Sequence, residues 1–176
     1  KMNKFFVHES SFIDKNVHIG EGTKIWHFSH ILQDVTIGKN CVIGQNVMIG
    51  PDVNIGNNCK IQNNVSLYKG LIIGDNVFFG PSCVFTNVKN PRASVEKKDQ
   101  FLETIIEDNV TIGANATIIC GNKISKNAFI GAGSVVNRNV LENEMVVGNP
   151  IKFIGKVCEC GEKVIDEKCL CKKESI

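Results

Sequence analysis

Arginine is nearly missing from this 176-residue chain, where Arg92 and Arg138 are the only two, and aromatic side chains make up just 7% of it. No apolar run approaches the ~18 residues that a bilayer-crossing helix needs. No charged-then-apolar segment of the secretory kind opens the sequence either, so a cytoplasmic protein without a membrane partner is expected. Neither sign of charge dominates, with 20 Lys and Arg against 18 Asp and Glu. That balance offers no general polyanion-binding surface, and nucleic acid is not an expected partner. What is present is aliphatic: the chain is 43% hydrophobic and carries 22 Ile beside 20 Asn. This is enough apolar material for a sizeable core, which excludes global disorder. The length suits one domain with a small appendage.

The aliphatics recur every six residues. From Val7 the series runs through Ile13, Ile19, Ile25, Ile31, Ile37, Ile43, Ile49, Ile55, Ile61, Leu67, Ile73 and Phe79 to Phe85. The phase then slips and resumes at Ile106, Ile112, Ile118, Ile124, Ile130 and Val136. Neither an amphipathic helix nor an alternating strand holds a strict period of six. Four residues after each aliphatic stands a small or β-branched residue, such as Val17, Thr23, Ser29, Val35 or Cys41. Between them come turn residues, as in IGKN, IGQN and IGNN, where Gly and Asn tolerate the left-handed backbone of a sharp corner. Each hexad therefore reads as a short strand and a corner, and three hexads close a triangular coil of eighteen residues. About seven coils at ~4.8 Å each predict an all-β prism roughly 34 Å tall. Cys41, Cys59 and Cys83 fall on the small inward position and read as core.

These hexads resemble the left-handed parallel β-helix of the hexapeptide-repeat proteins, and the handedness is implied by that resemblance. The expected organisation is a β-helix over 1–155, interrupted by a loop at 86–104, and a Cys-rich tail over 156–176.

Four places break the repeat, and a regular solenoid does not itself need such breaks. IWHFSH replaces the corner Gly with Trp26 and adds His27, Phe28 and His30. IQNNVS and LYKGLI carry Asn63, Asn64 and Tyr68. The phase slip carries Pro91 and Arg92, and an Arg beside a cleft suits a phosphate or carboxylate. An eighteen-residue coil puts His27 and Asn63 on one corner, two coils apart, and Tyr68 under Thr86 where the loop departs. Gly113-Ala114 and Gly131-Ala132 stack on one corner as well. They suit either a groove for a pantetheine arm or simply tight turning. The last break is the tail, CECGEKVIDEKCLC, where four thiolates can hold a tetrahedral zinc. The C-x-C spacing is one residue tighter than the usual zinc knuckle, so a tail without metal is the other reading.

The strings IWHFSHI, CKIQNNVSLYKG, FFGPSCVFTNVKNPRA, GANATIICG, GAGSVV and VVGNPIKFIG resemble the hexapeptide acyltransferases that N-acetylate nucleotide-linked 3-amino sugars. That resemblance covers about Phe6 to Val164. It implies a homotrimer with sites between subunits and transfer from acetyl-CoA to a sugar 3-amine, in surface polysaccharide or glycan synthesis. UDP-2-acetamido-3-amino-2,3-dideoxyglucuronate is the expected acceptor, and a dTDP-3-amino-3,6-dideoxyhexose is the alternative. It further implies Asn87 as the residue that hydrogen-bonds the attacking amine. His27, His30, Asn63, Asn64, Tyr68 and Arg92 would hold the nucleotide-sugar. Gly113, Ala114, Gly131 and Ala132 would receive the pantetheine, with Ile151 and Lys152 near the adenine. Cys158, Cys160, Cys169 and Cys171 are the candidate zinc ligands. Two rivals fit less well. An ice-binding solenoid would show ladders of Thr, and a metal hydratase would need histidines converging from adjacent coils.

Overall fold

The computed structural model describes residues 4–165 together with 168 and 169. Two-residue strands follow each other at corners, and three parallel sheets result. The first face holds an eleven-stranded sheet whose last three strands are antiparallel additions; the second face has seven strands and the third six. Register follows the hexads, with Lys24↔Val42 and Ile25↔Ile43 on the first face and His30↔Met48 and Ile31↔Ile49 on the second. The fold is the expected left-handed β-helix. Among the described residues the single helical segment is a 3-10 turn, Lys98–Gln100, inside the long loop. None is a helix long and apolar enough to cross a membrane.

Packing explains the period. The aliphatic of each hexad from Ile25 onward is buried in one continuous core, with the small inward residues Val35, Val47, Val53 and Val65 beside it. Each coil covers the apolar face of the one before, so stability is built between neighbours. Where the small residue carries a hydroxyl, that group ties coils together. Thr23 Oγ1 donates to the Gly38 carbonyl at 2.8 Å and accepts from the Cys41 N–H at 3.0 Å. Ser29 repeats the pattern with the Gly44 carbonyl and the Val47 N–H. The inward thiols do more than fill space, because Cys41 and Cys59 each donate to a carbonyl of the next coil at 3.2 Å.

The corners divide their labour differently from the expectation. The left-handed residue is the Asn or Asp, as at Asn40 with φ 56° and Asn58 with φ 57°. The Gly directly after the aliphatic has ordinary φ, and its role is close approach: a Cβ on Gly38 would lie 2.4 Å from the Gly56 carbonyl oxygen. The left-handed Asn residues form a ladder along one edge, each side-chain amide donating to the next, from Asn58 through Asn76, Asn109 and Asn127 to Asn143 at 3.0–3.2 Å.

The phase slip is an insertion. Partners eighteen apart, such as Lys60↔Phe78, become thirty-three apart in Phe78↔Thr111, so fifteen residues leave the coil. They emerge between the second and third faces. Asn87 and Leu102 close the base, with the Leu102 N–H donating to the Asn87 carbonyl at 2.9 Å, and residues 89–96 are exposed. At the far end, strand Lys152–Val157 folds back antiparallel on Glu144–Val147 and runs through the boundary expected at 155.

Candidate active site

The second face gathers the sequence breaks along its two edges. On the edge shared with the first face, the aligned corners carry His27, Gln45, Asn63, Pro81, Ala114 and Ala132 in successive coils. On the edge shared with the third face lie Tyr68 and the loop with Asn87 and Arg92. Within one chain, the structure therefore places His27, His30, Asn63 and Asn64 on the same side of the prism as the alanine corner, several coils before it. It leaves Tyr68, Asn87 and Arg92 across the face from them.

The first edge is marked by a backbone oddity. Among the described residues, fourteen non-glycine residues have positive φ, and all but Phe28 are Asn, Asp or Ser. Phe28 holds φ 58° with its ring 63% exposed. A bulky residue in that conformation is strained, and nothing is recovered by burial. The ring instead walls a groove of about 210 Å³ with His30, Asn46, Met48, Asn64 and Ser66. Around it, Trp26 packs on Phe6 at 5.5 Å between ring centroids, and His27 stacks on His8 at 3.6 Å. His8, which reads as an ordinary surface residue in sequence, thus supports His27; the two are not eighteen apart, so the period gives no sign of the pairing. Phe28 was visible as part of a break. Its strain shows only against the Asn that fills this position in neighbouring coils.

Several candidates have structural partners of their own. His30 Nε2 lies 3.0 Å from Asp14 Oδ1, a half-exposed pair that also fixes the ring beside the groove. Asn63 Oδ1 accepts from the Gln45 N–H at 2.9 Å, and Asn64 Oδ1 accepts from the Asn46 amide at 3.0 Å. The amide nitrogens of Asn63 and Asn64 stay on the exposed corner. Lys69, an alternative cation to Arg92, is held by Asp52 at 2.6 Å.

On the other edge, Asn87 is half-buried, and its side-chain amide has no hydrogen-bond partner among the described residues. Its backbone is fixed by the loop base. The neighbouring Thr86 Oγ1 accepts from the Cys120 N–H at 3.0 Å. The loop departs from a rigid point and presents a free amide there.

At the small-residue corner the glycines answer a packing need. A Cβ on Gly113 would meet the Ala132 nitrogen at 2.5 Å, and one on Gly131 would meet Val147 Cγ1 at 2.4 Å. Beside these glycines, Ala114 is half-buried and Ala132 exposed. Ile151 is buried in the core cluster, its N–H donating to the Val135 carbonyl at 3.2 Å, so its side chain caps the prism. Lys152 remains exposed beside it. The inward thiols are buried: burial pushes Cys83 up to about 12, Cys59 is held above the usual range by the Cys41 thiol and by burial, and hydrogen bonding with Cys59 draws Cys41 down to about 7. Three tail cysteines, Cys158, Cys160 and Cys169, have sulfurs within 4.8 Å of one another, and Cys171 lies outside the described residues.

Residues 16–51 and 52–87 match the bacterial transferase hexapeptide (six repeats), and residues 34–69 and 103–138 match the hexapeptide repeat of succinyl-transferase. The long loop between 88 and 102 falls in neither. One curated relative, the dTDP-3-amino-3,6-dideoxy-alpha-D-galactopyranose 3-N-acetyltransferase of Aneurinibacillus thermoaerophilus, is 41% identical over 168 residues, 94% of this chain and 86% of the relative. The chain belongs to the hexapeptide-repeat acetyltransferases. A solved member from Vibrio cholerae O1 biovar eltor, described as complexed with acetyl coenzyme A, aligns with this acetyltransferase at TM-score 0.54 and 28% identity, over 65% of this chain and 69% of that one. A hexapeptide transferase family protein from Anaplasma phagocytophilum shares the fold at TM-score 0.62 and 22% identity, over 89% of this chain and 81% of that one.

Proposed function

We propose that this acetyltransferase moves the acetyl group of acetyl-CoA to the 3-amine of a dTDP-linked 3-amino-3,6-dideoxyhexose. The observation that carries this reading is the 41% identity over 94% of the chain, too great a span to reflect the repeats alone. This is the alternative acceptor that the resemblance implies. The UDP-linked glucuronate stands second, because its carboxylate needs a cation and Lys69 is already paired with Asp52.

The nucleotide-sugar lies along the groove of Phe28, His30 and Asn64, with the exposed aromatics offering a surface on which a base stacks. Pantetheine runs along the Ala114–Ala132 corner, and Lys152 serves the adenine end. Asn87 accepts a hydrogen bond from the attacking amine. Since it lies on the opposite edge from that corner, amine and thioester meet between two copies of the chain, as in a homotrimer. The neutral amine attacks the thioester carbon, a C–N bond forms, and the tetrahedral oxyanion collapses with loss of the CoA sulfur. An Asn takes no proton near neutral pH, so the ammonium proton leaves with that sulfur. Positioning supplies much of the acceleration.

The test is release of CoA thiol with dTDP- and UDP-linked 3-amino sugars as acceptors. Turnover with the dTDP-linked deoxyhexose is expected. Turnover with the UDP-glucuronate acceptor alone would move the substrate, and no thiol release from any amino sugar would overturn the reading.

A further inference from the structure

The antiparallel extension that ends the described chain has little to hold it. Strands Lys152–Val157, Lys163–Ile165 and Lys168–Cys169 pair in order, yet Phe153, Ile154 and Ile165 are exposed and only Val157 is buried. A small antiparallel ribbon without an apolar face is not stable by itself. Three sulfurs converge where its strands meet. Cys158 and Cys160 are in direct sulfur contact, and the Cys169 sulfur lies 2.7 Å from that of Cys158 and 3.3 Å from that of Cys160.

The turn between the first two strands is shaped around these sulfurs. The Gly161 N–H donates to the Cys158 carbonyl and the Cys158 N–H to the Glu162 carbonyl, both at 2.9 Å, with Gly161 at φ 89°. The Cys160 N–H points at Cys158 Sγ, 3.3 Å away. A backbone N–H aimed at sulfur stabilises a thiolate and orients it as a ligand. A disulfide between Cys158 and Cys160 would use two of the three sulfurs. A metal uses all three.

We infer that Cys158, Cys160 and Cys169 form a structural zinc site that pins the extension to the end of the prism. Soft thiolates select zinc over calcium or magnesium. With Zn–S near 2.3 Å, tetrahedral sulfurs stand about 3.8 Å apart, so seating the ion spreads them by about an ångström. Cys171, the fourth candidate ligand in the sequence, lies outside the described residues, and the site is argued on the other three. Each thiol gives up its proton on binding, so occupancy falls in acid.

The full chain, purified without chelator, is assayed for zinc by elemental analysis and by a colorimetric chelator after thiol blocking. Intact mass under non-reducing conditions is measured beside it. About one zinc per chain is expected in the wild type. Cys160→Ser and Cys169→Ser should each lose it while keeping the β-helix signature in circular dichroism. Cobalt(II) reconstitution should give a sulfur-to-metal charge-transfer band that is absent in Cys169→Ser. A metal-free wild type, still metal-free after zinc is added under reducing conditions, would overturn the assignment. So would zinc retained in Cys169→Ser, or a loss of two mass units per chain from a Cys158–Cys160 disulfide that persists in reductant. Acetyl transfer is not the readout, so this test stands apart from the acceptor assignment.

Discussion

Replacing Phe28 with Asn separates what the fold wants at that corner from what a ligand wants. Phe28 occupies the left-handed region at φ 58°, where the same column carries Asn46, Asn64 and Asn115. That conformation costs an ordinary L residue about 1–2 kcal/mol, and Asn escapes part of it through local hydrogen bonding. The new amide would also extend the ladder, as Asn46 already does towards Asn64 at 3.0 Å. Such an exposed hydrogen bond is worth well under about 1 kcal/mol. Because the Phe28 ring is 63% exposed, little burial is lost. Phe28→Asn is therefore expected to stabilise the protein by about 1 kcal/mol, or about 2–4 °C in Tm for a chain of this size. The same substitution removes the aromatic wall of the groove. Stacking of a base on an aromatic ring is worth about 1–3 kcal/mol, so KM for the nucleotide-sugar should rise about tenfold, with kcat little changed. Thermal unfolding and steady-state kinetics on one preparation read both effects. A lower Tm would refute the strain argument, and an unchanged KM would refute the ligand role.

Asn87→Ala should lower kcat for acetyl transfer by about 10²–10³-fold, the scale of losing one well-placed polar group at a reacting centre. Its Tm should barely move, since the side chain has no partner among the described residues; a kcat near wild type would remove Asn87 from the mechanism. Gly113→Ala forces a Cβ to 2.5 Å from the Ala132 nitrogen, which should cost about 1–3 kcal/mol and raise KM for acetyl-CoA. Gly133→Asn, at φ 68° with open space around it, should be neutral or stabilising by about 0.5 kcal/mol. Urea unfolding that ranks these two the other way would refute the close-approach account. Folded Cys83 keeps its proton up to about pH 12, whereas the unfolded thiol releases it near about 8.5. The unfolded state thus binds fewer protons between those values, and stability present below about pH 8.5 should decline as pH rises towards 12. Urea midpoints across that range should fall, and less steeply in Cys83→Ala.

The period of six carried nearly all of the fold, because burial at one position per hexad is a property of composition and order. From Ile25 to Val136 every apolar residue of the series lies in the core, whereas in the first coils Val7 and Ile19 are partly covered and Ile13 is exposed. Two things escaped the pattern. The work of Gly and Asn within each corner depends on the distance to the next coil, which spacing does not contain. The contact of His8 with His27 joins residues nineteen apart while the first coil keeps its eighteen-residue register in Val7↔Ile25, so it lies in side-chain reach and not in the period. For the candidate site, eighteen-residue arithmetic placed His27 with Asn63 and Tyr68 beneath Thr86. Ile151 was named instead by the resemblance, and its side chain belongs to the core. A buried aliphatic and a ligand-facing one look alike in sequence once the repeat has stopped.

The two ends of the prism explain where that stopping matters. A parallel solenoid presents an open strand edge and an uncovered core at each end, and both must be managed. At the C-terminal end the chain does this itself: Val146 pairs with Phe153, Ile151 fills the core, and the Gly148 N–H donates to Ser134 Oγ at 3.1 Å. At the N-terminal end no such return occurs among the described residues. Phe6, Phe12 and Ile13 are left exposed beside Trp26 and Phe28. An apolar aromatic surface at an uncapped coil is costly to leave in water unless a ring-bearing ligand or another copy of the chain covers it. Towards the capped end, by contrast, the same edge carries the small side chains of Ala114 and Ala132. The ends thus differ in their side chains, aromatic at one and small at the other, and the insertion that begins beside Asn87 leaves the prism at the height between them.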